Sequence, residues 1–90
     1  MEERIGTNIK ISLINEHGIK EAISNDFGNE TYLRMAIYNC PKNAENVRNI
    51  LNRYDKYGQK WNIQYNDNNL MIFESKDCWG NLGYFHLEIQ

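Results

Sequence analysis

Two segments near the ends of the chain alternate apolar and polar residues, and this alternation constrains the fold more than any other feature. The apolar positions are Ile9, Ile11 and Leu13 within residues 7–14, and Phe85, Leu87 and Ile89 within residues 84–89. Successive side chains of a β-strand point to opposite faces, so each segment is predicted to be a strand that buries one face. Tyr84, His86 and Glu88 then lie on the opposite, outward face of the last strand.

The length of the chain sets the number of hydrophobic cores at one. A folded chain of 90 residues removes about 64% of its unfolded surface from water, which is enough for one core and not for two. Hydrophobic residues make up 41% of the chain, a fraction that argues against disorder. We therefore predict a single compact domain over residues 1–90.

The clearest helical pattern lies in the middle of the chain. Its apolar residues recur at helical spacing, at Ala44, Val47, Ile50, Leu51 and Tyr54. Asn43 is a favourable N-cap and Gly58 a favourable stop, so the pattern predicts a helix over about residues 43–57. Residues 61–75 then alternate around an Asn- and Asp-rich turn, which predicts a hairpin with Trp61 in the core.

Two segments admit both helix and strand. Residues 19–27 fit a short second helix, but the preceding turn at residues 15–18 favours the return strand of a hairpin. Residues 31–39 place Leu33, Met35 and Ile37 on one side when read as a strand, and β-type residues favour that interpretation over a helix. The predicted fold is therefore α+β, a mostly antiparallel sheet of about five strands packed on one main α-helix. The outward face of this sheet is predicted to carry Lys10, Tyr32, Arg34, Tyr38, Tyr84 and His86.

Composition argues against several classes of function. A net charge of −2 does not suit a nucleic-acid-binding surface, which must neutralise phosphates. The chain contains no apolar run of about 18 residues, so no membrane contact is expected, and residues 1–15 lack a secretory pattern, so a cytoplasmic location is expected. No phosphate-binding loop, hydrolase or zinc-protease motif occurs. We accordingly predict no enzyme activity and no cofactor.

The cysteines and histidines are the residues that could form a chemical site. Cys40, Cys78, His17 and His86 are metal-ligand types, but their positions are scattered, whereas structural zinc sites use closely spaced pairs. Cys40 precedes the predicted helix, and a helix N-terminus together with Lys42 would favour its thiolate. Since no base is identifiable near it, a thiol-dependent enzyme using Cys40 is kept only as an alternative, and a small buried residue is the simpler interpretation.

The aromatic residues outside the predicted core point to binding instead. Trp79 lies in a loop with glycines and Tyr57 at a helix end, and Trp and Tyr are common anchors of protein interfaces; the simpler alternative is that Trp79 covers the open end of the core. The residues predicted to bind a partner are Asp77, Trp79, Tyr57, Lys60, Tyr84 and His86.

We therefore predict a small non-enzymatic binding protein with a protein partner, and homodimerisation is open. A small-ligand or nucleotide-binding domain is the alternative. The chain contains 14 Asn, 11 Ile, 6 Lys and 6 Tyr, residues with A/T-rich codons, which suggests an A/T-rich genome. An inhibitor of a host defence protein, encoded by a phage or mobile element and acting in the host cytoplasm, is the special case that this origin suggests.

Overall fold

Five antiparallel strands form one sheet, in which the first and last strands of the chain lie side by side. A computed structural model describes residues 5–90. The strands are β1 (Ile9–Asn15), β2 (Lys20–Glu21), β3 (Asn62–Asn66), β4 (Leu70–Lys76) and β5 (Leu82–Ile89). Their order across the sheet is β2-β1-β5-β4-β3, and every neighbouring pair is antiparallel. The predicted α+β fold with an antiparallel sheet of about five strands is confirmed.

Helices pack against one face of this sheet. They are α1 (Ser24–Phe27), α2 (Glu30–Tyr38) and α3 (Ala44–Tyr54). Their buried residues belong to the same core as the inward residues of the strands, and the largest fully buried side chains are Trp61, Phe73, Phe85, Leu13, Leu33, Ile37, Leu51, Leu87 and Val47. Trp61 is 1% exposed, so its predicted place in the core is confirmed.

The predicted helix over residues 43–57 is confirmed as α3, but it ends three residues earlier. Asn43 caps it as expected, since its side chain accepts a hydrogen bond from the Asn46 backbone N–H. At the other end Asp55 leaves the helical conformation, with ψ at 122°. The Asp55 carboxylate binds the N–H groups of the following loop instead, so residues 55–57 do not continue the helix.

The strand predicted over residues 31–39 is wrong, because this segment forms α2. The Asn29 side chain accepts a hydrogen bond from the Tyr32 N–H and caps the helix. Leu33 and Ile37, four residues apart, face the core, whereas Met35 is 55% exposed. The sheet therefore packs against two helices of 9 and 11 residues and the short α1, rather than against one main helix.

Residues 19–27 contain both of the structures that their sequence allowed. The short strand β2 pairs with β1 through Leu13 opposite Glu21 and Ile14 opposite Lys20, which completes the favoured hairpin. The chain then turns into α1, whose Phe27 packs against Trp61 with ring centroids 5.4 Å apart. The predicted second short helix is therefore four residues long and follows the hairpin.

The outward face of the sheet has a different composition from the one predicted. Ser12, His86 and Ile72 lie side by side across β1, β5 and β4, and Ile14, Tyr84 and Glu74 form the next row. Lys10 lies opposite Glu88 on the same face. Tyr32, Arg34 and Tyr38 belong to α2, so their predicted place on this face is wrong. No helix within residues 5–90 is long and apolar enough to cross a membrane.

Candidate functional site

Three loops surround a cleft at one end of the sheet. They are residues 15–19 between β1 and β2, residues 55–59 after α3, and residues 77–81 between β4 and β5. The cleft has a volume of about 690 Å³, and its walls also include the ends of β1 and β5 and Asp26 of α1. We call it the loop cleft.

All three loops are built on the same hydrogen-bond pattern. Each begins with Asn or Asp, whose Oδ1 accepts backbone hydrogen bonds from the residues two and four places later. The donors are His17 and Ile19 to Asn15, Tyr57 and Gln59 to Asp55, and Trp79 and Asn81 to Asp77, at N···O distances of 2.8–3.1 Å. Asx side chains commonly stabilise turns in this way. We refer to these segments as the three Asx–Gly loops.

A glycine occupies the fourth position of each Asx–Gly loop. Gly18, Gly58 and Gly80 have φ values of 79°, 72° and 87°. Each glycine N–H donates to the carbonyl oxygen of the first residue of its loop, at 3.0–3.4 Å. Because other residues adopt positive φ only with strain, the glycine is a requirement of this turn.

The third position of each loop carries the side chain that faces the cleft. These residues are His17, Tyr57 and Trp79, and all three are exposed and line the cleft. Tyr57 is 68% exposed and Trp79 is 84% exposed. Trp79 therefore does not cover the end of the core, which was the alternative interpretation from the sequence. Three rings held on ordered loops around one cleft make the strongest candidate binding surface in the described chain.

The 55–59 loop is tied to the core and to α1. The Asp55 Oδ2 accepts a hydrogen bond of 2.8 Å from the Trp61 indole N–H. The Lys56 N–H donates to the Asp26 carbonyl oxygen at 2.8 Å, and the Lys56 Nζ donates to the Ser24 carbonyl oxygen at 3.0 Å. These bonds fix the position of Tyr57 relative to the cleft.

Carboxylates dominate the charge of the loop cleft. Glu16, Glu21, Asp26 and Asp77 line it, and no Lys or Arg within residues 5–90 does. Partial burial raises the pKa of Asp26, and the charges of Asp55, Glu21 and Asp77 raise it further against the opposing effect of Lys56. No other described side chain hydrogen-bonds or ion-pairs with the Asp26 carboxylate. Its negative charge is therefore unfavourable in the folded protein.

Replacing this carboxylate by a neutral amide is expected to stabilise the protein at neutral pH. Because the folded pKa of Asp26 lies above the unfolded value, ionisation costs the folded state free energy once the pH exceeds both pKa values. Asp26→Asn should therefore unfold at a higher urea concentration than the wild type at pH 7. The difference should shrink as the pH falls through the folded pKa towards the unfolded value of about 4. Urea titrations of both proteins across this range measure it, and an equal difference at both ends would contradict the prediction.

The six residues predicted to bind a partner lie in three places. Tyr57, Asp77 and Trp79 come together at the loop cleft. The Asp77 carboxylate is occupied by the N–H groups of its own loop and by the Asn81 side chain at 3.3 Å, so it positions Trp79. Lys60 is exposed but does not line the cleft.

Tyr84 and His86 lie on the outward face of the sheet, which borders the loop cleft. Ile14 lies opposite Tyr84 and also lines the cleft. Partial burial raises the pKa of Tyr84, as do its hydrogen bond with Glu74 and the charges of Glu74 and Glu16. Partial burial lowers the pKa of His86 against a smaller opposing effect of Glu88, which favours the neutral imidazole.

Sequence reasoning missed His17, Asn15 and Asp55 as parts of this surface. The signal that could have revealed them is the pattern Asn/Asp-x-ring-Gly, which occurs at residues 15–18, 55–58 and 77–80. The same pattern also occurs at residues 25–28, where it ends α1 and buries Phe27. The pattern therefore becomes informative only when the strand order shows which of its copies meet.

Cys40 lies away from the loop cleft. It lines a separate shallow depression of about 300 Å³ formed by α3 and the segment before it, together with Asn46 and Arg53. Its Sγ donates to the Ile37 carbonyl oxygen at 3.2 Å. Burial raises the pKa of the thiol and outweighs the opposite effects of Lys42 and of the backbone hydrogen bond. These surroundings favour the thiol over the nucleophilic thiolate.

The four metal-ligand residues noted in the sequence are not gathered in one place. His17 and Cys78 both line the loop cleft, whereas Cys40 lines the shallow depression and His86 lies on the sheet face. Within residues 5–90, no three His, Cys, Asp or Glu side chains are grouped so that they could hold a metal ion.

Comparisons with protein-family models, with curated proteins and with solved structures find no match to this chain. Its function must therefore be inferred from the side chains of the loop cleft and of the adjoining sheet face.

Proposed function

We propose that the protein is a non-enzymatic binding protein that contacts a protein partner through the loop cleft. The observation that carries this proposal is the presentation of three exposed rings, His17, Tyr57 and Trp79, by three loops of the same construction around one cleft. Exposed aromatic side chains that cluster in one place mark interaction sites, and Trp and Tyr supply much of the energy of protein interfaces.

The order of the loops supports this proposal further. Each ring is attached to a turn whose hydrogen bonds are already made, so binding does not require the loop to be ordered first. A surface that is organised before binding loses less conformational entropy when the complex forms. The outward face of the sheet borders the cleft at Ile14 and Tyr84. The exposed parts of these half-buried side chains offer additional contact area to the same partner.

A small-ligand site is the second candidate, because the volume of about 690 Å³ lies within the range of ligand pockets. Its lining disfavours a nucleotide, however. Among the described residues, four carboxylates and no Lys or Arg line the cleft, and phosphate groups would be repelled. The interpretation as a phage or mobile-element inhibitor of a host defence protein stays a prediction, since it rests on composition alone.

The Trp79 side chain is expected to be essential for binding. Because it is 84% exposed, Trp79→Ala should leave the thermal unfolding temperature unchanged. A central aromatic anchor contributes about 2 kcal/mol or more to an interface, so the dissociation constant should rise about 30-fold. The partner is identified first by photo-crosslinking from p-benzoylphenylalanine at position 78, in cells of the organism that encodes the protein, because Cys78 is exposed and lines the cleft next to the intact Trp79. Calorimetry with the purified partner then measures the affinity of each variant.

Tyr32→Ala is the matched control, because Tyr32 is 65% exposed but lies on α2, outside the cleft. We expect its dissociation constant to stay within about twofold of the wild type. Tyr57→Ala should weaken binding in the same direction as Trp79→Ala. The proposal fails if Tyr32→Ala weakens the complex while Trp79→Ala does not. It fails equally if the crosslinker at position 78 captures a small molecule and no protein.

A further inference from the structure

We propose that the loop cleft receives an arginine side chain of the partner, with the guanidinium lying against the Trp79 ring and facing the carboxylates of the cleft. This inference rests on the proposed function, since it names the chemistry of the partner at the same surface. Three independent features of the described residues point to it. They are the negative charge of the residues that line the cleft, the face of the Trp79 ring, which no described cation occupies, and the contacts that already hold Lys56 elsewhere.

The charge of the lining selects a cation. Of the four carboxylates, Asp77 is satisfied by its own loop and Glu21 accepts a hydrogen bond of 3.2 Å from the Asn15 side chain. No described residue donates a hydrogen bond to the carboxylate of Asp26 or of Glu16. These two groups are therefore free to accept the N–H groups of a ligand. An acidic or phosphorylated partner would meet repulsion at the same place.

The aromatic rings around the cleft favour the same kind of ligand. A cation is attracted to the face of an aromatic ring, and Trp is the most favourable ring for this contact. The Tyr57 ring already has a cation, since the Lys56 Nζ lies 5.2 Å from its centroid. No described Lys or Arg lies over the Trp79 ring, so a partner's cation can use it.

Lys56 does not neutralise the cleft from within. Its Nζ donates to the Ser24 carbonyl oxygen at 3.0 Å and lies against the Tyr57 ring. It makes no ion pair with Asp26, although its charge opposes the effects of the acidic neighbours there. The negative potential of the cleft therefore persists in the unbound protein and is available to a partner.

The choice of arginine follows from the two kinds of group that the ligand must contact. A guanidinium is planar, so it stacks on an indole, and its N–H groups can reach carboxylates at the same time. A lysine ammonium is compact and strongly hydrated and cannot stack in this way. The cleft, at about 690 Å³, has room for this side chain together with the residues that flank it in a peptide.

Peptide binding followed by NMR tests the inference. The probe is the tripeptide acetyl-Gly-Arg-Gly-amide, and its matched control contains citrulline, which has nearly the same shape without the charge. We expect the arginine peptide to shift the Trp79 indole N–H resonance saturably, with a dissociation constant on the order of millimolar, as suits a single side chain. The Trp61 indole N–H, which is buried and bonded to Asp55, serves as the internal reference and should not move.

Two variants with the same change of charge separate the cleft from the rest of the surface. Asp26→Asn should raise the dissociation constant of the arginine peptide at least about threefold, because an unpaired carboxylate is lost. Glu88→Gln removes an exposed carboxylate opposite Lys10, at the end of β5 far from the loops, and should leave the affinity unchanged. Raising the salt concentration should weaken wild-type binding.

The inference is overturned if the citrulline peptide shifts the Trp79 resonance with equal affinity, or if Asp26→Asn and Glu88→Gln bind the arginine peptide equally well. Tighter binding of the matching lysine peptide overturns the choice of arginine. The crosslinked partner distinguishes this failure from that of the proposed function. A complex that is weakened by Trp79→Ala but insensitive to Asp26→Asn and to salt rejects the arginine and retains the protein-binding surface.

Discussion

Asp55→Ala is expected to lower the free energy of unfolding by about 4 kcal/mol, a large share of the stability of a domain of this size. Asp55 is only 8% exposed, and its carboxylate accepts four hydrogen bonds. The donors are the Tyr57 and Gln59 backbone N–H groups, the Gln59 side-chain amide and the Trp61 indole N–H, at 2.8–3.1 Å. Alanine would leave the buried indole N–H without a partner, at a cost of about 1–3 kcal/mol for that group alone.

Asp77→Ala provides the matched control for this substitution. Asp77 accepts the same two backbone hydrogen bonds within its loop. The donor N–H groups are exposed, however, so they can hydrogen-bond to water when the carboxylate is removed. We therefore expect a loss of about 1 kcal/mol or less. Asp55→Asn should lower the free energy of unfolding by an intermediate amount. The amide has only one acceptor oxygen, so it can accept either the indole N–H or the two backbone N–H groups, but not both.

Urea unfolding in a Trp79→Phe background, followed by tryptophan fluorescence, measures these differences, since Trp61 is then the only tryptophan in the sequence. A loss for Asp55→Ala within about 1 kcal/mol of the loss for Asp77→Ala would contradict the prediction. The hydrogen bond from the Trp61 indole N–H to Asp55 would then add no stability beyond that of the turn itself.

The strands β1 and β5 could be predicted from the sequence because each of them buries only one face. Leu13 and Phe85 lie opposite each other and face the core. A sheet that buries one face requires alternation along each strand, and a shift by one residue would expose every apolar side chain. The outward placement of Tyr84 and His86 follows from the same rule and is confirmed.

The loop cleft could be predicted only in part, because two kinds of information are missing from the linear sequence. Trp79 and Tyr57 stand out by residue type alone, since Trp and Tyr are common anchors of protein interfaces. Nothing in the sequence states that β1 and β5 are neighbours, and it is this pairing that brings residues 15–19 next to residues 77–81. The sequence alone therefore does not identify His17 as part of the surface.

The error at residues 31–39 has a definite physical origin. Leu33, Met35 and Ile37 alternate with other residues, as in a strand. Leu33 and Ile37 are also four residues apart, as in a helix, so the same residues fit both periodicities. Hydrogen bonds at the two ends of this segment favour the helix. Asn29 caps its start, and the Lys42 Nζ donates to the carbonyl oxygens of Tyr38 and Cys40 near its end, at 2.6 and 2.7 Å. Local alternation carries less weight than two satisfied helix ends and a core-facing stripe.

Substitutions in α2 distinguish the two structures directly. Leu33 is fully buried, so Leu33→Ala should lower the free energy of unfolding by about 3 kcal/mol through lost burial and a residual cavity. Ile37→Ala should behave in the same way. Met35 is 55% exposed, and Met35→Ala should change the free energy of unfolding by less than about 0.5 kcal/mol. In a strand, all three residues would share one face and their substitutions would cost similar amounts. Urea unfolding of the three variants therefore decides between helix and strand, and a loss for Met35→Ala equal to that for Leu33→Ala would reject the helix.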